Sequence, residues 1–147
     1  MLRFFYFLFI FAILMATSPG HAQMQVSGIS IAADKSDFDN KAGIVKLVGH
    51  VQVIYNGYYI SCNKATIHRK DKRIEASGQV IIQTSTTYVE AERVDFNLET
   101  ELGIFYDGFI QSGKVVFEGD IIEKVGEIHY TAVNGAYTAC TTCPASW

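Results

Sequence analysis

Apolar and polar residues alternate one by one through most of the chain. Val45-Lys46-Leu47, His50-Val51-Gln52-Val53, Arg73-Ile74-Glu75-Ala76 and Gln79-Val80-Ile81-Ile82 all carry a hydrophobic residue at every second place. A period of two belongs to a strand with one face buried, not to a helix. β-Branched and aromatic residues dominate these runs, and Asn56-Gly57, Lys70-Asp71 and Asp107-Gly108 supply turn residues. No stretch sustains an apolar period of 3.6. The predicted fold is all-β.

The pattern also repeats at a spacing of 29 residues. Ile31-Ala-Ala-Asp34-Lys-Ser-Asp-Phe38 returns as Ile60-Ser-Cys-Asn63-Lys-Ala-Thr-Ile67 and as Val89-Glu-Ala-Glu92-Arg-Val-Asp-Phe96. Gly49-His-Val-Gln-Val53 returns as Gly78-Gln-Val-Ile-Ile82, and a third glycine-led segment, Gly108-Phe-Ile110, arrives one residue late. Repeats of this length are stacked supersecondary units that bury a core only jointly. Within the second and third units the apolar parity slips by one, from Ile60 and Cys62 to Ala65 and Ile67, and from Val89 and Ala91 to Val94 and Phe96. Such a slip predicts a β-bulge or sharp corner at the same place in each unit, so that strands pass from one sheet layer to another. The expected architecture is an open two-sheet sandwich. Its inner surface is lined by Val51, Val53, Ile60, Ile74, Val80, Ile82 and Val89.

Residues 1–22 read as a secretory leader, with Arg3 as the positive start, an unbroken apolar run from Phe4 to Met15, and Pro19, Gly20 and Ala22 before a cut at Gln23. Removing them changes the picture of the remainder. Losing Arg3 takes the formal charge from −3 to −4, and much of the phenylalanine excess goes with it. A mildly acidic chain without a basic cluster argues against nucleic acid as a partner. Export also places the cysteines in an oxidising compartment, where disulfides are expected.

Ala76-Ser-Gly78-Gln-Val80, preceded by Lys72-Arg73-Ile74-Glu75 and followed by Glu90-Ala91-Glu92-Arg93-Val94-Asp95-Phe96, resembles the recurring phrase of the OstA-like (LptA/LptD N-terminal) family. The tail, from Gly126 to Tyr130, then Asn134-Gly135-Ala136-Tyr137-Thr138-Ala139-Cys140 and Pro144 to Trp147, is similar to the LptD branch at the junction between its periplasmic domain and its barrel. The resemblance implies an antiparallel β-jellyroll at residues 23–139, open on one side and dry within, and a cysteine-containing junction at 140–147 leading to a barrel that this chain does not include. It further implies a periplasmic protein associated with the outer membrane, which holds the acyl chains of lipopolysaccharide in an apolar groove made by the seven residues above. Implied partners are an OstA-like bridge protein, joined by edge-strand pairing around Ser27 to Ala33, and an outer-membrane barrel with its plug lipoprotein. Two alternatives stand beside this reading: a free LptA-like bridge or shuttle, and a structural β-repeat scaffold without a lipid ligand.

Reactive chemistry is sparse. There is no G-x-S-x-G, no H-E-x-x-H and no phosphate-cradling glycine loop, so no enzyme is expected. Cys140 and Cys143 form a C-x-x-C without the helix that would activate a thiol, and His68 and His129 lack zinc-ligand spacing. The resemblance marks Cys140 as a disulfide partner, with Cys143 the second candidate. Cys62 falls on the inward face and packs as a small apolar residue. Asp34, Asp37 and Asp39 lack the glycine and terminal glutamate of a calcium loop, and His50 alternates outward. Neither a metal nor a cofactor is expected.

Overall fold

The computed structural model describes residues 22–26, 28–127 and 129–139. Eleven strands occur in this part: β1 (Ala22–Val26), β2 (Ile29–Ala33), β3 (Lys35–Asp39), β4 (Ile44–Tyr55), β5 (Tyr58–His68), β6 (Arg73–Gln83), β7 (Thr87–Asn97), β8 (Gly103–Ser112), β9 (Val115–Lys124), β10 (Tyr130–Val133) and β11 (Ala136–Thr138). They form one antiparallel sheet in the order β1-β2-β4-β5-β6-β7-β8-β9-β10, with β3 beside β4 and β11 beside β9. Each long strand is bent near its middle. The two layers of the expected sandwich are therefore halves of a single folded sheet. One half holds β3, β10 and, for instance, 44–48 of β4 and 64–68 of β5; the other holds β1, β2, β11, 51–55 of β4 and 58–62 of β5.

The corners explain the repeat. The register jumps between Val48 and Val51 where β4 meets β5, and between Ser77 and Val80 where β6 meets β7. On β4 the jump is made by Gly49 (φ 81°) and His50 (φ 43°), and on β6 by Gly78 (φ 77°) and Gln79 (φ 52°). Two left-handed residues in succession turn the strand sharply, and glycine takes that conformation without a Cβ penalty. The corner residue one strand earlier, Asp34 or Asn63, packs directly over each of these glycines. A Cβ placed on Gly49 would lie 2.9 Å from the Asp34 Cβ, and one on Gly78 would lie 2.9 Å from the Asn63 Cβ. Asp34 and Asn63 are equivalent positions of the repeat, so its period spans two strands, each with its own corner.

The third corner is built differently. Asp107-Gly108 is not the turn that its composition predicts, because both residues lie inside β8. Asp107 alone takes the left-handed place, with φ 49°, which is why the third glycine arrives one residue late. The short aspartate side chain tolerates this conformation better than most. Asn56-Gly57 and Lys70-Asp71 do form hairpin turns, between β4 and β5 and between β5 and β6.

The halves fold toward one another and enclose one apolar cluster, including Leu47, Ile60, Ile67, Ile74, Ile110 and Ile122. No polar or charged residue is buried among the described residues. The N-terminal edge differs from expectation. Residues 29–33 do not form a free edge, since β1 pairs along β2 from Ala22↔Ala33 to Val26↔Ile29. The outermost strands of the described sheet are β1 and β3 at one end and β10 and β11 at the other.

Candidate functional site: the seam between the half-sheets

Away from the corners, the turns of the two halves face each other across a seam. No strand pairing crosses it among the described residues, so side chains close it. The Tyr58 ring from one half meets Phe96 from the other at a centroid distance of 5.7 Å, and Phe96 meets Phe105 at 6.1 Å. Tilted aromatic pairs at these distances add modest attraction to their burial. Burial, followed by the nearby Glu101 carboxylate, raises the Tyr58 hydroxyl above the usual tyrosine range.

Two cavities open on the seam beside the Tyr55–Tyr58 cross-strand pair. The first, of about 360 Å³, has Ile82, Val89 and Ile110 on one wall and Phe96 and Phe105 on the other, with Glu101, Lys124 and Tyr130 at its rim. The second, of about 420 Å³, lies against Ile29, Tyr55, Ile67 and Leu98, with Arg69, Lys70 and Lys72 around it. Both fall within the size range of ligand pockets. A larger concavity, of about 1120 Å³, runs along the corners among Glu90, Glu92, Asp107, Glu118 and Asp120, and Cys62, Val80 and Ala91 of the core also line it.

The seven residues expected to line a groove all face the interior, and none is more than 3% exposed. Only Ile82 and Val89 also line a seam cavity. Val51, Val53, Ile60 and Ile74 are enclosed in the core, and Val80, also buried, backs the concavity along the corners. Sequence reasoning missed Tyr58, Glu101, Phe105, Lys124 and Tyr130. Lys124 had a readable signal, since it shares the parity of buried Ile122 along β9. Glu101 sits in a loop and gave none.

The remaining candidates are simply placed. Cys62 is buried, its thiol donates to the Lys64 carbonyl at 3.2 Å, and burial pushes its pKa up to about 11. Such a thiol is not a nucleophile at neutral pH. His50 is exposed at its corner and pairs with Asp34 at 2.8 Å. Asp39 caps the next turn by accepting from the amides of Lys41 and Ala42. Among the described residues no group of three His, Cys, Asp or Glu side chains converges as metal ligands do. Cys140 and Cys143, and residues 1–21 of the expected leader, lie outside the described residues.

Fold and seam together define an antiparallel β-jellyroll that encloses a dry interior and is closed along one side by side chains alone. A solved structure shares this fold: LptH of Pseudomonas aeruginosa, described as the LptA-homologous periplasmic component of the lipopolysaccharide transport device, aligns at a TM-score of 0.64 and 15% identity over 81% of this chain and 89% of that one. Residues 30–127 match the family described as LptA/(LptD N-terminal domain) LPS transport protein, and the chain belongs to that family. A curated relative, the LPS-assembly protein LptD of Acinetobacter baylyi, is 26% identical over 112 residues. The match takes in 75% of this chain but only 14% of that protein.

Proposed function

We propose that this chain carries lipopolysaccharide by holding its acyl chains between the half-sheets, as the periplasmic domain of an LptD-like outer-membrane assembly protein. The observation that carries the reading is an apolar interior closed along one seam without backbone pairing, with cavities already present there. Each buried CH₂ contributes about 0.8 kcal/mol. A laurate-length chain therefore gains on the order of 10 kcal/mol before ordering costs are subtracted. No side chain needs to react, and the role is not enzymatic.

Ile82 and Val89 meet the lipid first, and the deeper Val51, Val53, Ile60, Ile74 and Val80 meet it as the halves part. Residues 1–22 direct export and residues 23–139 form the working domain in the periplasm. Cys140, with Cys143, supplies the disulfide partner at the junction to a barrel and its plug lipoprotein. A neighbouring bridge protein of like fold pairs with an outermost strand, for which β1 is the candidate. A second reading, a free LptA-like bridge, is favoured by one observation: the match to LptH spans nearly all of that protein. The coding sequence downstream of Trp147 separates the two.

The test is photo-crosslinking in cells from a reactive residue placed at Ile82, with a second at the outward-facing Ile54. Lipopolysaccharide adducts are expected from Ile82 and not from Ile54. Folded protein without adducts at Ile82 would overturn lipid carriage and leave a structural β-repeat scaffold.

A further inference from the structure

Lys124 is out of place on its sheet face. The cross-strand row to which it belongs runs through Val45, Ile67, Ile74, Phe96 and Gly103 before reaching Lys124 and Tyr130. Every other residue of that stretch is apolar, aromatic or glycine, so an ammonium enters an otherwise dry surface. Its side chain is 13% exposed, and its charged partner is Glu101, at 3.7 Å. That distance balances charge without forming a hydrogen bond. The stem is largely covered, so the ammonium reaches few waters at the cavity mouth and its donors are poorly used.

Glu101 is held in a peculiar way. It lies in the β7–β8 loop with φ 58°, a left-handed conformation that is unfavourable for a residue with a long side chain. Its carboxylate also faces the Tyr58 hydroxyl across the seam, close enough to oppose ionisation of that hydroxyl. One carboxylate thus serves both the latch that closes the smaller cavity and the sole cation among the described residues that line it. The rim adds the hydroxyl-bearing turn Thr84 to Thr87.

We propose that Lys124 forms an anionic-headgroup subsite at the mouth of this cavity. An amphiphile inserts its chain between Ile82, Val89, Phe96 and Phe105 and sets a phosphate or carboxylate against the ammonium in place of Glu101. This rests on the lipid-carrying reading above and specifies its ligand. Displacing Glu101 has two consequences. Lys124 keeps a counter-charge and gains real hydrogen bonds, and Tyr58 loses the partner that ties it to the facing half. Headgroup recognition and opening of the seam become the same event.

The experiment compares dodecyl phosphate with monolauroylglycerol, a neutral amphiphile of similar chain length, by calorimetry on the purified protein at low salt and below micellar concentrations. The wild type is expected to prefer the phosphate about tenfold, the worth of one charge-assisted hydrogen bond in competition with Glu101. Lys124→Met should abolish that preference while still binding the neutral amphiphile. Glu101→Gln removes the competing carboxylate, keeps the shape, and should raise the preference further, which tests the proposal even if Lys124→Met fails to fold. A wild type without preference, or a preference that survives Lys124→Met, overturns the subsite and leaves lipid carriage standing. If neither amphiphile binds the wild type, the lipid-carrying reading falls and the subsite falls with it.

Discussion

Replacing Gly78 by alanine tests the corner that makes the fold. Two costs add at that position. The left-handed conformation, φ 77°, costs an L-residue about 1–2 kcal/mol. The new methyl would also meet the Asn63 Cβ at 2.9 Å and its Nδ2 at 2.9 Å, closer than real Cβ atoms approach. Overpacking of this kind costs about 1–3 kcal/mol more. Gly113 supplies the control, since it has φ 59° with no atom within 4 Å of an added Cβ. Gly113→Ala should therefore lose about 1 kcal/mol and Gly78→Ala about 3 kcal/mol in urea unfolding at equilibrium. A double-mutant cycle with Asn63→Gly, which removes the obstructing Cβ, should recover the excess and leave the conformational cost. Equal losses at Gly78 and Gly113, or a cycle without coupling, would refute the claim that the repeat is a corner residue packed on a glycine.

Other consequences follow from burial and pairing. Ile74→Ala should cost about 3–4 kcal/mol, because the side chain is wholly enclosed; Ile54→Ala, at 51% exposure, should stay within about 0.5 kcal/mol in the same assay. Cys62 should resist maleimide at pH 8 in the native state and react once unfolded, because burial keeps its thiol protonated. Its folded pKa lies above the ordinary value of 9.0, so the unfolded chain ionises first; this contribution to stability is complete below pH 9 and lost as pH rises toward about 11. Cys62→Ala should flatten that decline in unfolding measured from pH 8 to 11. Arg73 forks onto Asp95 from the neighbouring strand, its Nε donating at 2.6 Å. The pair is partly exposed, so Asp95→Asn should cost only about 0.5–1 kcal/mol, and the difference should shrink in high salt.

Strand content, the inward face and the corners were legible because each rests on a local rule. Alternation assigns Val51, Ile60 and Val80 to one side, and the parity slip after Cys62 and Ala91 marks where the register jumps. Asp107-Gly108 was misread as a turn because the same left-handed preference serves a hairpin and a mid-strand corner. Local sequence does not tell the two apart. The covering of β2 by β1 escaped notice because Gln23 to Val26 is short and adjoins the apolar leader. The seam was least legible. Tyr58, Phe96, Glu101 and Lys124 stand far apart in the chain and come together only when the sheet folds upon itself, which is a tertiary fact without a local pattern.

The closed seam raises a problem of exchange. Most residues that would touch a bound chain already touch one another, and the seam cavities of about 360 and 420 Å³ leave room for only part of a lipid with several chains. On the lipid-carrying reading proposed above, loading replaces protein–protein packing with protein–acyl packing, and much of the burial energy cancels. What decides the outcome is the cost of parting the halves. The corners are rigid hinges fixed by backbone geometry and by Asp34 and Asn63 packed on glycines. The ladders within each half stay intact when the halves move, because no ladder among the described residues crosses the seam. Parting the mouth of the smaller cavity exposes apolar wall that an entering chain covers again, and it gives up two contacts: the Tyr58–Phe96 ring pair and the approach of the Tyr58 hydroxyl to Glu101. Each is worth about 1 kcal/mol. Opening there costs a few kcal/mol, well below unfolding and within reach of a single acyl chain. If the lipid-carrying reading holds, a sheet folded once along a line of corners combines a core stable enough to persist with an interior open to a lipid.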